Sequence, residues 1–188
     1  MLRADRRPSA FLLAITAFAL LVLPFLATFD DFLTTAAMRL GLDAVVQGIV
    51  PVEARLVVAM LFLLDVPASS HGSQIVLHTA QYTQPLWISW NCTGWQSLLI
   101  FAGSLFVGLL GPIAAVTKSQ IVLIGLAGTL LMNLTRITGV CLLASTTGYI
   151  PAVLFHDYAG TLLTISLLFL FWTFVYRHLL EPRRRVSI

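Results

Sequence analysis

Long apolar runs separated by short polar segments make up this chain, and their lengths suit a lipid bilayer rather than a soluble core. Residues 9–29 contain no charged side chain, and about 20 apolar residues suffice for a helix to cross a hydrocarbon core. Residues 95–111, 119–143 and 153–176 read as further spans, and the shorter run 51–66 extends back through Val50 and Val52 to full crossing length. The first run follows Arg3, Arg6 and Arg7; it is longer than a signal-peptide core and lacks a clean small-x-small cleavage site, so a retained first span is expected.

Residues 32–50 are less decided. Asp31, Thr35, Arg39, Asp43 and Gln47 recur at every fourth position and form one drifting stripe on a helix. Two readings fit. One is an amphipathic helix lying in the interface. The other is a sixth span whose stripe faces the protein and pairs Arg39 with Asp43 at i, i+4. With both termini cytoplasmic, parity requires the second; an interfacial helix would place the N-terminus outside.

Residues 67–93 change character. Residues 74–79 and 86–90 alternate and favour strand, with 81–85 as the turn between them. A hairpin or flap on the extracytoplasmic surface is expected, leading into the segment that contains Cys92. The fold class is therefore all-α integral membrane: a polytopic bundle of about six helices over 1–188, one domain, with spans at 9–29, 32–50, 51–66, 95–111, 119–143 and 153–176.

Composition agrees. Hydrophobic residues are 59% and charged residues 10%, with a mean hydropathy of +0.94, far from soluble averages of about 45–50% and 25%. The net charge of +3 does not indicate nucleic acid, because the basic residues are scattered between apolar runs and cannot track phosphates. They set topology instead. Arg177, His178 and Arg183 to Arg185 follow the last span, and Lys118 marks an inward turn. The protein is expected in the cell membrane, multi-pass, with Cys92 on the extracytoplasmic side.

Ionisable groups at membrane depth are costly and point to function. Arg136 lies about 24 Å along its helix at 1.5 Å per residue, flanked by Asn133, Thr135 and Thr138, with apolar sequence continuing beyond it. A snorkelling anchor is the bland alternative. His156 opens the last span beside Asp157. Cys92, Arg136 and His156 thus come from three helices to one membrane face. A thiol ionises more readily at a helix N-terminus or beside a cation. Cys92 as nucleophile, Arg136 as oxyanion stabiliser and His156 as proton carrier form a consistent set. Thr93, Gly94 and Asn133 are candidates for substrate binding or oxyanion support. Adjacent residues on a helix diverge by about 100°, so Asp157 is not assigned as the partner of His156. Cys141, among Val140, Leu142 and Leu143, reads as packing. His71 and His78 lack companion ligands, and no metal or cofactor is expected.

The segments Trp90-Asn91-Cys92-Thr93-Gly94-Trp95-Gln96-Ser97, Asn133-Leu134-Thr135-Arg136-Ile137 and His156-Asp157 resemble the exosortase/archaeosortase family over roughly residues 56–174. Its motifs are C-[ST]-G, N-x-x-R-[IV] and a downstream His; Thr93 stands where many members have Ser. The resemblance implies a membrane cysteine peptidase/transpeptidase with Cys92, Arg136 and His156 catalytic. It also implies substrates that are secreted proteins with C-terminal sorting signals, composed of a short motif, a transmembrane helix and a basic tail. A thioester on Cys92 would pass the new C-terminus to an acceptor such as a lipid amine. The chain is shorter than eight-span members. Two competing readings are a non-enzymatic scaffold or small transporter using Arg136 and His156, and a thiol–disulfide enzyme using Cys92 with Cys141. The latter has no CxxC to support it.

Overall fold

The structure is a computed structural model and describes residue 28 and residues 31–78 and 83–180. Apart from Thr28, the expected span 9–29 lies outside the described residues, as does the basic tail after residue 180. The chain divides into two units, residues 1–42 and 43–188. In the first, a helix (α1) covers residues 31–39 and ends in a turn at Leu40 and Gly41, where Gly41 has φ 68°. That left-handed residue stops the helix, since only glycine adopts it without steric cost. The expected span 32–50 is therefore not one continuous helix, and the i, i+4 register meant to pair Arg39 with Asp43 is interrupted.

The second unit begins within a short helix, α2 (Leu42–Gln47), and continues with α3 (Val50–Leu63), which carries Pro51 in its first turn. Proline is accepted there because the first N–H groups have no intrahelical partner. Helix α4 (Trp95–Gly108) is followed by the 33-residue α5 (Ala115–Thr147). Then come α6 (Tyr149–Leu154), a π-helical turn (Phe155–Ala159), α7 (Gly160–Val175) and a second π turn (Tyr176–Leu180). Among the described residues, three helical stretches are long and apolar enough to cross a membrane: Leu42–Leu63, Ala115–Thr147 and Leu162–Leu180. At 14 residues, α4 is shorter than the roughly 20 residues of a full crossing.

Between α3 and α4 lies a three-stranded antiparallel sheet, β1 (Ala68–His71), β2 (Gln74–His78) and β3 (Thr83–Trp87), in sequential order. The sequence reading missed β1, whose Ala-Ser-Ser-His lacks the β-branched and aromatic residues that signal a strand. It also assigned Pro85 to a turn, whereas Pro85 pairs with Val76 inside β3. An edge strand accommodates a proline because its outer N–H has no ladder partner to lose.

Two apolar clusters hold the second unit together. In the first, Val50, Ala54, Val57 and Leu61 of α3 meet Leu134, Ile137, Cys141 and Ala144 of α5, with Ile75 and Leu77 of β2 closing one end. The helical positions repeat every three or four residues and the strand positions every second, as one buried face of each requires. In the second, Phe101 and Leu105 of α4 pack with Ile121 of α5 and Phe171 and Val175 of α7. Gly125 lets α4 approach α5, because a Cβ there would stand 1.8 Å from the Phe101 ring. Large apolar side chains such as Phe62, Phe106, Leu131 and Phe169 remain exposed, while Glu53, Thr129, Asn133 and Thr138 are buried. An apolar exterior, with the few costly polar groups turned into the protein, is the arrangement a helix bundle takes in lipid.

Candidate active site

Cys92 sits in a 3₁₀ turn, Trp90–Thr93, that joins the sheet to α4. The surrounding residues build that turn. Thr93 Oγ1 donates to the Trp90 carbonyl at 2.8 Å, and the Trp90 N–H donates to Gln47 Oε1 at 2.9 Å. Asn91 Oδ1 accepts from Trp95 Nε1 at 3.2 Å and from Gln96 Nε2. The Trp90 and Trp95 rings stack at 5.6 Å. Gly94 then takes φ 74° to turn the chain into α4, and a Cβ there would meet Asn133 Cγ at 2.8 Å. The motif is thus largely a device for presenting one thiol.

The thiol faces the π-helical turn. Cys92 Sγ lies 3.5 Å from His156 Nε2 and 3.6 Å from Ser89 Oγ. His156 Nδ1 lies 3.0 Å from Asp157 Oδ1. A carboxylate only accepts, so Nδ1 carries the hydrogen; Nε2 accepts from the thiol and, once the proton has passed to it, donates back to the thiolate as part of a charged imidazolium. Asp157 therefore is the orienting neighbour that sequence reasoning did not assign. The residues fall in a π turn and not a regular α-helix, so the regular-helix divergence did not describe them.

Cys92 belongs to the segment outside the spans, and its acidity follows from these contacts. Burial alone pushes the thiol up, but the hydrogen bonds from His156 and Ser89, with the His156 charge, outweigh it and bring the pKa down to about 7. The groups that lower the thiol's pKa are His156 and Ser89; of the two possibilities left open by the sequence, a helix N-terminus and a nearby cation, the His156 charge corresponds to the second. Ser89, three residues before Cys92, was missed because no periodicity marks a residue that acts through a turn.

Arg136 and Asn133, one turn apart on α5, both reach the same backbone group. Arg136 Nη2 and Asn133 Nδ2 each donate to the Cys92 carbonyl at 3.0 Å. Arg136 is thus directed into the protein and is not a snorkelling anchor. Its guanidinium also faces Gly160, where a Cβ would stand 3.0 Å from Nη1. Together with Ser97, Thr129 and Thr164 these residues line a small cavity between α4, α5 and α7.

The structure therefore brings Cys92, Arg136, His156, Gly94 and Asn133 together. Thr93 is adjacent, and its hydroxyl donates to the Trp90 carbonyl, a contact that locks the turn. Cys141 is 2% exposed within the first apolar cluster, and both cysteines are free thiols. His78 Nε2 is engaged by Ser69 Oγ at 3.0 Å. Sequence reasoning also missed Glu53 of α3, buried and hydrogen-bonded to Asn133 Nδ2.

No curated protein matches the chain detectably, and no solved structure does. The model of one family, the transmembrane exosortases, matches residues 8–173. That match takes in the Cys92 turn, the Asn133 and Arg136 turn of α5 and the His156-Asp157 pair, and the chain belongs to the transmembrane exosortase family.

Proposed function

We propose that this protein is a membrane cysteine transpeptidase that processes secreted proteins at a C-terminal sorting signal, with Cys92 as nucleophile. The observation that carries the reading is the chain Cys92 Sγ, His156 Nε2, His156 Nδ1 and Asp157 Oδ1, linked at 3.5 Å and 3.0 Å. A nucleophile, a base and an orienting group within hydrogen-bond reach are the parts that covalent acyl transfer needs.

In this mechanism His156 Nε2 takes the Cys92 proton, and the thiolate adds to the scissile carbonyl carbon. The negative charge that forms on the carbonyl oxygen is stabilised by the fixed positive charge of Arg136, whose guanidinium holds the Cys92 carbonyl through Nη2. When the tetrahedral species collapses, the C–N bond breaks and His156 returns its proton to the leaving amine. The released fragment carries the transmembrane helix and basic tail; the thioester stays on Cys92. An amine acceptor, such as one on a membrane lipid, then attacks the thioester, passes its proton to His156 and restores the thiol. The site operates on the extracytoplasmic side of the cell membrane, where a secreted substrate arrives.

The test is mass spectrometry of a secreted protein bearing such a signal, coexpressed with native protein or with Cys92→Ala. The expected outcome is a shortened, modified C-terminus with the native chain and an intact one with Cys92→Ala. The same C-terminus in both would overturn the catalytic reading and favour a scaffold in which Arg136 and His156 serve packing.

A further inference from the structure

Glu53 is 4% exposed in the first turn of α3, on the buried face it shares with Val50, Ala54 and Val57. A carboxyl at such a position in a membrane bundle is costly. Its Oε1 accepts from Asn133 Nδ2, while its Oε2 has no hydrogen-bond partner among the described residues. A half-satisfied buried carboxyl is a poor way to tether two helices, because the unsatisfied oxygen retains its desolvation penalty. The arrangement makes sense through what Asn133 does next.

Asn133 Nδ2 has two hydrogens, and they go to Glu53 Oε1 and to the Cys92 carbonyl. Both partners are acceptors, so the carboxamide has only one productive orientation. Without an acceptor at position 53, one buried amide hydrogen loses its partner and the Asn133 side chain is held on this side by the Cys92 carbonyl alone, so it is free to turn and weaken that bond. The Cys92 carbonyl would then rely mainly on its bond from Arg136 Nη2. The disturbance would also reach Gly94, which packs on the Asn133 side chain.

We propose that Glu53 is a positioning residue for Cys92: its carboxyl orients the Asn133 amide on the Cys92 carbonyl, which keeps the Trp90–Thr93 turn seated with Sγ on His156. This deepens the reading of Cys92 as nucleophile and rests on it. Glu53 touches neither thiol nor substrate; it acts through Asn133, and its effect is read at the sulfur.

The experiment follows iodoacetamide labelling of Cys92 against pH, resolved by peptide mass spectrometry, in the full chain in membranes, with substrate processing measured in parallel. Glu53→Gln keeps an acceptor oxygen and is expected to keep the labelling midpoint of the native chain. Glu53→Met keeps the length without an acceptor and is expected to raise the midpoint by about one pH unit, so that labelling slows about fivefold near neutrality and about tenfold well below it. Glu53→Asp withdraws the carboxyl by one methylene and is expected to shift the midpoint part of the way; it stands in if Glu53→Met does not accumulate. Profiles for Met or Asp that overlay the native one overturn the proposal, as does a Gln shift equal to that of Met. If Cys92→Ala leaves processing unchanged, the transpeptidase reading falls, while a midpoint raised by Glu53→Met still shows that Glu53 positions Cys92.

Discussion

The chemistry of single residues turns on Cys92, whose pKa of about 7 compares with about 8.5 for a free cysteine. The thiolate is the reactive form, and its fraction falls as pH drops below that value. Alkylation of Cys92 is therefore expected to be half-maximal near pH 7, to level off above it and to fall about tenfold per unit well below it. Cys141, enclosed in the first apolar cluster, is expected to stay unlabelled across that range. His156→Ala removes the strongest contact lowering the thiol's pKa and is expected to move the midpoint upward while slowing processing by roughly 10²–10⁴. Asp157→Asn is expected to cost less, on the order of 10- to 100-fold, because Asp157 is solvent-exposed, unlike the buried aspartate of a serine protease triad. A labelling midpoint unchanged by His156→Ala would mean that the 3.5 Å contact does not set the thiol's reactivity.

At the scale of elements, glycines fix how closely the pieces approach. Gly94→Ala forces a side chain into a left-handed residue, at about 1–2 kcal/mol, and drives a Cβ to 2.8 Å from Asn133 Cγ. Its expected signature is a large loss of processing with a smaller loss of thermal stability, since the disturbed contact is the one holding the Cys92 carbonyl. Gly125→Ala differs. Its Cβ meets the Phe101 ring, well away from the thiol, and overpacking of this kind costs about 1–3 kcal/mol. The melting temperature in detergent should fall, and the labelling midpoint of Cys92 should stay where it is. Much of this was legible beforehand: the spans around α3, α5 and α7 follow from hydropathy, and the β2–β3 pairing follows from alternation. The break at Gly41 and the strand β1 were not, because a glycine within an apolar pattern and a polar tetrapeptide both lack a periodic signal. Gln47 had been placed in a polar stripe. Its role, holding the Trp90 N–H across 43 residues of sequence, is a long-range contact that no local pattern encodes.

For the whole molecule, the distribution of basic residues predicts that the sheet and Cys92 face outward while the turn before α5 faces inward. In a Cys92→Ala background, His71→Cys is therefore expected to react with a membrane-impermeant maleimide on intact cells, and Pro112→Cys only after lysis. The reverse pattern would invert the topology and place the thiol on the cytoplasmic side. The sequence by itself determined that the chain is a membrane protein, that Cys92, Arg136 and His156 are the residues to ask about, and which family they resemble. Each rests on composition or on residues a few positions apart, which the linear chain displays directly. Tertiary structure alone decided that Asp157 backs His156, that Ser89 acts on the thiol, and that Arg136 and Asn133 meet on the Cys92 carbonyl with Glu53 behind them. Those contacts join α3, α5, the Cys92 turn and a π turn far apart in sequence. Their strength depends on ångström-scale distance and burial, which only the packed bundle sets.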